Sequence, residues 1–401
     1  MTQLLRHNIL DDKNLKREIH LDEICASLQL DETRRSRMES AYSSVSSLLE
    51  SSKYFQDKDL LIYAYGSEPL GTNTKPYKKD EFDLDFASVV SDNINGLTPD
   101  DMLDRIWEVL YNDERYRSKI ERKRYCVRIN FAGDFHMDIT PCLRIPGSKR
   151  LKASDTKTNK FVNRYPKGYI SWFQGLFILD TSKLSLSEYY ILKMELRAET
   201  EVLPQSVPFE LMQPIQRTVQ LMKRARDVYF EGTPEIATSS VILTTLVGRL
   251  YEGEKSILSS ISNVMSSIVS LTQQHKYPYI LEVYNPADDN LPLIKREKLS
   301  NKWSEGTKGK ARYEAFIDFI MWFDKLWSMY LNDDINPEKT LKKLFGKNPV
   351  NAAIVSRGKV VNSLMAGGYV GSNPSTNSLT SNSKSKDFKP MIKSTNHGDV
   401  F

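Results

Sequence analysis

The segment 81–90, EFDLDFASVV, constrains the fold of this chain more than any other. Its phenylalanine and leucine residues alternate with Asp83 and Asp85. A period of two residues is typical of a β-strand with one apolar face. The segment therefore predicts a half-buried strand that presents two carboxylates on its other face.

A second strand is predicted shortly upstream, where LLIYAYGSEPLG begins at Leu60. The apolar run ends at Gly66 and Ser67, and a turn with a short helix is expected to follow. A glycine at such a turn allows backbone amides to approach phosphate oxygens, and a serine hydroxyl can donate to them. Gly66 and Ser67 are therefore candidate phosphate-binding residues.

A third acidic residue lies in a predicted hairpin, in which CVRINFA and FHMDIT flank Gly133. Alternation in the second strand places His136 and Asp138 on one face and apolar residues on the other. A lone DxD strand is common and is usually not catalytic. The order of strand, GS turn, short helix, DxD strand and later Asp is much rarer, and it favours catalysis.

Phosphoryl transfer from a nucleoside triphosphate requires charge neutralisation and an activated hydroxyl, and two divalent metal ions about 3.5 to 4 Å apart do both. Asp83, Asp85 and Asp138 are suited to hold them, because clustered carboxylates without cations repel one another and raise their pKa values. His136 is expected to tune or pack the site rather than act as a base, since metal can activate the hydroxyl unaided.

Helical periodicity appears after Leu28, with Asp31 as the cap, and again throughout the second half of the chain. These patterns predict a catalytic lobe over residues 1–170 with a long N-terminal helix, and a helical lobe over 171–365. The basic segment 146–168 is predicted to be a crossing between lobes or a mobile loop. The polar residues 366–401 predict a disordered tail.

Composition limits the compartment and the partners. The 401 residues contain neither an apolar stretch long enough for a membrane span nor a secretory signal, so a cytoplasmic protein without a membrane partner is expected. Three dispersed cysteines favour reduced packing residues. A net charge of +5 from 56 basic and 51 acidic residues does not argue for duplex nucleic acid, although a local basic cleft for polyphosphate remains compatible with it.

The combination GS, GT, DLDF and HMDIT resembles the polymerase-β nucleotidyltransferase superfamily. Within it, the chain resembles the bacterial cGAS/DncV-like nucleotidyltransferases of anti-phage signalling, relatives of oligoadenylate synthase and cyclic GMP-AMP synthase. The resemblance spans most of residues 40 to 355. It is carried by YAYGSEPLGT, EFDLDF, FAGDFHMDITPC, NRYPKGYISWF, PIQRTVQLMKRARDVYF, SSVILTTL, NPADDNL with the downstream Trp303, and LFGKNPV.

This resemblance implies an α+β fold with a mixed-sheet catalytic lobe and an oligoadenylate-synthase-like helical lobe. It implies two Mg²⁺ ions, with Mn²⁺ as a substitute, on the three aspartates, and a triphosphate held by the GS turn. Lys223 of QLMKRARD and Ser240 of SSVILTT then correspond to residues that reach the donor phosphates. Two alternatives are open: Lys223 on a solvated helix face, and Ser240 as a simple N-cap.

The function implied is synthesis of a cyclic di- or trinucleotide second messenger from nucleoside triphosphates, including ATP, with release of pyrophosphate, in anti-phage defence. Alternatives are a linear oligonucleotide synthase, nucleotidyl transfer to an RNA, protein or small molecule, and a non-catalytic nucleic-acid-binding module. No zinc insertion and no long basic platform are evident, which favours control by a partner, by ligand release or by the tail over activation by duplex nucleic acid. Operon-encoded regulatory or conjugating proteins are possible partners of the tail, although a plain solvated terminus is an equal alternative.

Overall fold

The computed structural model describes residues 13–78, 81–91, 96–131, 133, 135–177, 203, 208–333, 335–366, 371–373, 378–380 and 389–390. Within them, no helix combines the length and apolar character needed to span a bilayer. The predicted helix SLSEYYILKMELRAE, residues 185–199, lies outside the described residues.

The first half of the chain builds a mixed sheet with a few helices. Its helices are α1 (Lys13–Ser27), α2 (Glu32–Glu50), α3 (Ser67–Leu70), α4 (Pro99–Asn112) and α5 (Pro166–Gln174). Its strands are β1 (Leu60–Tyr65), β2 (Phe82–Val90), β3 (Ile120–Arg122), β4 (Val127–Phe131), β5 (Phe135–Arg144), β6 (Leu151–Asp155) and β7 (Lys160–Arg164).

The second half is helical. It contains α6 (Pro214–Tyr229), α7 (Ser240–Leu250), α8 (Ile257–Gln274), α9 (Gly306–Asn332), α10 (Pro337–Phe345) and α11 (Lys347–Ala366). Short 3₁₀ turns connect them at Phe209–Leu211, Pro234–Ile236, Pro286–Asp288, Leu293–Lys295 and Asn301–Ser304.

The sheet follows the order β1-β2-β5-β4-β3, and β6 and β7 extend it from the second half of β5. Strands β2 and β5 run parallel, because α4 and the β3–β4 pair lie between them in sequence and return the chain to the same end. The other pairings in this sheet are antiparallel. Because β2 and β5 are adjacent and parallel at the centre of the sheet, side chains of the two strands lie side by side.

Helix α2 begins where the sequence predicts it. The side chain of Asp31 accepts a hydrogen bond from the Arg34 amide, which caps the first turn. Its buried face includes Met38, Val45 and Leu49, which pack with β1, β2, β4, β5 and α4 into one core. This core covers one face of the sheet and leaves the polar face of β2 turned away from it.

The helices of the second half share a separate core, built around α6, α8 and α9. Helix α1 belongs to this core, since Leu21, Ile24 and Cys25 are buried in it. The predicted division at residue 170 groups α1 with the catalytic lobe, whereas its buried side chains pack with the helical core; the division itself stays a prediction. Local periodicity cannot show which core an amphipathic helix joins, because either core can bury its apolar stripe.

The basic segment 146–168 differs from its prediction. It forms the β6–β7 hairpin and the start of α5 rather than a crossing or a mobile loop. Leu151 and Ala153 are buried beside Cys142 on the sheet, while the lysines of the hairpin point outward. Its arginines are less exposed than its lysines, since Arg150 pairs with the buried Asp288 and Arg164 with Glu297.

Two other expectations concern the cysteines and the tail. Cys25, Cys126 and Cys142 are buried free thiols, as predicted. Three short strands, β8 (Gly371–Asn373), β9 (Ser378–Thr380) and β10 (Lys389–Pro390), pair with one another. The disordered tail stays a prediction, and apart from these short strands and Ala366 its residues lie outside the described part of the chain.

Candidate active site

The three predicted aspartates lie on one face of the sheet. On β2, Leu84 is buried while Asp83 and Asp85 point the other way. Asp85 on β2 and Asp138 on β5 are directly opposite in the parallel register. Since residues in register point to the same face, the structure brings together three carboxylates that are separated by up to 55 positions in sequence.

Arg128 joins these acids, and the sequence reading did not single it out. In the antiparallel β4–β5 pair it stands opposite Asp138. Its Nε donates to Asp138 Oδ1 at 2.7 Å, and its Nη2 donates to Asp138 Oδ2 at 2.8 Å and to Asp83 Oδ1 at 3.0 Å. The available signal was the alternation of CVRINFA, which puts the arginine on the face of the following Asp138.

His136 lies beside the acids without bridging them. Its Nε2 is 2.6 Å from Glu81 Oε2, and its Nδ1 is 3.5 Å from Asp83 Oδ1. The other Glu81 oxygen accepts from the Gly133 amide at 2.7 Å. These contacts tie the imidazole to the β4–β5 turn.

Charge in the cluster is distributed unevenly. Burial, and then the carboxylates of Asp83 and Asp138, raise the pKa of Asp85 well above its usual value. Burial also raises the pKa of Asp83, but the hydrogen bond from His136 and the charge of Arg128 outweigh it and leave the pKa lowered. Full ionisation of all three acids thus requires more positive charge than Arg128 supplies.

These observations fit a divalent cation such as Mg²⁺. Three carboxylates are the hard oxygen ligands that Mg²⁺ prefers, and their mutual repulsion calls for a cation. In the described part of the chain, however, no group of three or more His, Cys, Asp or Glu side chains is arranged to hold a metal ion as it stands. The metal-binding role of Asp83, Asp85 and Asp138 therefore stays a prediction.

The GS turn approaches the acids closely. Gly66 has φ +75° and ψ −138°, and a Cβ at this position would lie 2.6 Å from Asp85 Oδ2. Ser67 begins α3, and its hydroxyl donates to Asn73 Oδ1. The Asn73 amide in turn donates to Glu68, a buried carboxylate that pairs with Arg35 at 2.6 Å. A polar network anchored on the buried Glu68 thus fixes the serine hydroxyl at the turn.

Lys223 and Ser240 come from the helical half and face the same cavity. Lys223 is only 8% exposed, so the alternative of a solvated helix face is wrong. Its Nζ donates to the Thr72 carbonyl at 2.9 Å. Burial, followed by the charge of Arg226, lowers the pKa of Lys223 to about 8. A buried ammonium beside a cavity is a strong site for an anion.

Ser240 is the first residue of α7, and Ser239 occupies the N-cap position, so the N-cap alternative for Ser240 is also wrong. The Ser240 hydroxyl accepts a hydrogen bond from Arg226. In the sequence, Arg226 is part of a charged run that gives it no specific role. In the structure, its guanidinium contacts both Ser240 and Asp227.

A single cavity of about 920 Å³ connects these groups. It is lined from both halves of the chain by the GS turn, the acidic face and the two helical-lobe residues. All seven predicted site residues border it, namely Gly66, Ser67, Asp83, Asp85, Asp138, Lys223 and Ser240. Its volume lies within the range of about 300 to 1,000 Å³ usual for ligand sites.

The chain is similar to known proteins over most of its length. Residues 16–176 match the model of the Second Messenger Oligonucleotide or Dinucleotide Synthetase domain. Over 347 residues the chain is 33% identical to a c-di-GMP synthase of Roseivirga ehrenbergii, covering 85% of this chain and 87% of that protein. This match takes in both the sheet and the helical half.

Solved structures agree on the fold. The CdnG nucleotidyltransferase of Bradyrhizobium diazoefficiens, solved in complex with GTP, aligns with a TM-score of 0.66 and 18% identity over 84% of this chain and 97% of that one. CdnC of E. coli MS115-1, solved in complex with HORMA-deltaN, aligns with a TM-score of 0.52 and 14% identity over 80% and 93%. The predicted α+β polymerase-β-like fold with a mixed sheet is thereby confirmed.

Proposed function

This chain belongs to the cGAS/DncV-like nucleotidyltransferases, enzymes that make cyclic oligonucleotides, and we propose that it joins two nucleoside triphosphates into a cyclic dinucleotide with GTP as a substrate. The choice of GTP is supported by the c-di-GMP synthase that is 33% identical to it. Use of ATP stays a prediction, to be tested in the same assay.

One observation carries the proposed chemistry: Asp85 and Asp138 stand in register on adjacent parallel strands, with Asp83 on the same face and the GS turn against Asp85. Bound Mg²⁺ would neutralise phosphate charge and lower the pKa of the attacking hydroxyl. The three carboxylates would hold the ions. The side chains around them then have only to bind and orient the two nucleotides.

The remaining residues have roles that follow from their positions. Lys223 faces the cavity as a nearly buried cation and binds the donor phosphates, and Ser240 with Arg226 adds hydrogen-bond donors at the start of α7. Ser67 lines the same cavity and binds the triphosphate from the catalytic lobe. Groups from both lobes would thus fix the donor across the cleft before the acceptor hydroxyl attacks.

The test is incubation of the purified chain with each labelled triphosphate, alone and in pairs, with Mg²⁺. A phosphatase-resistant product and pyrophosphate are expected, and Asp83→Asn and Asp138→Asn are expected to lower turnover at least about a thousandfold. Asp104→Asn is the matched control, because this exposed aspartate pairs with Arg122 on the same lobe and does not line the cavity. Absence of pyrophosphate with all four triphosphates would contradict the proposal.

The same products separate the alternatives. A linear oligonucleotide is degraded by exonucleases, whereas a cyclic one is not, and transfer to an RNA, protein or small molecule leaves label on that acceptor. A non-catalytic nucleic-acid-binding module would show salt-dependent RNA binding without turnover.

We also propose that the product serves anti-phage defence and that a protein partner controls synthesis. Support comes from the family and from the CdnC relative, which was solved with HORMA-deltaN. Phage plating on cells that carry the wild-type chain or Asp83→Asn would test the defensive role. Equal plaque numbers with the two chains would argue against a defensive role.

A further inference from the structure

Arg128 donates hydrogen bonds to carboxylate oxygens that are also the candidate ligands of a metal ion. Its guanidinium makes two hydrogen bonds to Asp138 and one to Asp83, between 2.7 and 3.0 Å. Its side chain is 19% exposed, so water screens these bonds only partly. The fork geometry of arginine matches a carboxylate, which makes this a strong and directional contact.

The two carboxylates that Arg128 holds are therefore engaged in the structure as it stands. A divalent ion bound by Asp138 would take its ligand from an oxygen atom that Arg128 already contacts, as would one bound through Asp83 Oδ1, and it would also face the positive charge of the guanidinium. Both effects oppose metal binding, while the ion pair keeps the acidic face assembled without metal.

We propose that Arg128 is a built-in counter-ion that preserves the acidic site without metal and is displaced from Asp83 and Asp138 when divalent cations bind. It thereby sets the cation concentration at which the enzyme becomes active. This inference rests on the proposed function, because it takes the three aspartates as the metal ligands. Arg128 is a positioning residue in this scheme, since it acts on the ligands.

The test measures metal binding directly, using Mn²⁺ as the probe and no nucleotide. Free Mn²⁺ is followed by electron paramagnetic resonance in the full 401-residue chain. Arg128→Gln is expected to bind Mn²⁺ about tenfold more tightly than wild type, because a unit positive charge about 5 Å from a divalent ion weakens binding by at least this factor even with the screening of water. Arg128→Lys, which keeps the charge without the fork, is expected to lie between them.

Thermal unfolding supplies a second readout. In EDTA, Arg128→Gln is expected to melt below wild type, because its three acids have lost their counter-ion, and Mn²⁺ is expected to restore more of its stability. Arg122→Gln is the matched control. Arg122 also bridges two carboxylates, those of Asp100 and Asp104, and it lies on β3, away from the cavity. Its Mn²⁺ affinity is expected to equal wild type.

Unchanged or weaker Mn²⁺ binding in Arg128→Gln, with normal binding in wild type, would overturn this inference and leave Arg128 as a structural ion pair. Wild-type chain that binds no Mn²⁺, or binding that persists in Asp138→Asn, would instead overturn the metal assignment in the proposed function. The two failures are thus distinguishable.

Discussion

Gly66 offers the sharpest test of how tightly the phosphate-binding turn is joined to the acids. Its φ of +75° with ψ of −138° lies where a side chain is rarely accommodated, so Gly66→Ala is expected to cost about 1–3 kcal/mol in backbone strain. In addition, the new Cβ would lie 2.6 Å from Asp85 Oδ2, about 1 Å closer than ordinary contact. Either the turn or the carboxylate must therefore move.

The size of the functional effect follows from that displacement. A shift of about 1 Å in a reacting geometry typically lowers turnover by about a hundredfold. The strain of about 1–3 kcal/mol is expected to lower the melting temperature by several degrees. Steady-state turnover and thermal melting of the same preparation are the two measurements.

Gly147→Ala separates the clash from the strain. Gly147 also has a positive φ, at +70°, but a Cβ there would meet nothing within 4 Å. It is expected to lose about 1 kcal/mol of stability and to keep wild-type turnover. If Gly66→Ala retained turnover within twofold of this control, the close contact between the turn and Asp85 would not matter for catalysis.

Two other predictions concern side chains around the cavity. The Lys223 ammonium, whose pKa is lowered to about 8 by burial and then by Arg226, is present below that pH and lost as pH rises through it. Calorimetric affinity for a triphosphate is therefore expected to fall between pH 7 and pH 9, and to fall less in Lys223→Arg. Glu68→Gln leaves Arg35 with a weaker buried partner, so the free energy of unfolding in urea is expected to drop by about 1–3 kcal/mol. Glu39 is the exposed partner of the same arginine, and Glu39→Gln is expected to change this free energy by no more than about 0.5 kcal/mol.

The polar face of β2 was predictable because it depends only on neighbouring residues. Alternation along 81–90 places Asp83 and Asp85 together in any extended backbone. The GS turn was predictable for a similar reason, since an apolar strand that ends in glycine and serine needs a local change of direction. The hairpin pattern and the family resemblance together predicted that Asp138 joins these two residues. The sequence did not indicate that β2 and β5 pair in parallel or in which register.

The β6–β7 hairpin shows where local patterns fail. Its strands, LKASD and KFVNR, have five residues each and contain only short apolar stretches beside Lys152, Lys160 and Arg164. What makes them strands is the free edge of β5, to which Cys142 and Leu143 contribute. Strand pairing of this kind is supplied by another part of the chain, and the segment itself does not reveal it.

The sequence by itself determined which residues lie on the acidic face, where the turn precedes them, and which segments are helical, because these properties repeat over two to four residues. Only the tertiary structure decided that Arg128 contacts Asp83, 45 positions away, and that Lys223 is buried against Thr72, 151 positions away. Such contacts depend on strand order and on how the helices pack, and both are determined by the burial of apolar side chains throughout the two main cores. Side chains distant in sequence meet as a consequence, and the chemistry of this site arises where they meet.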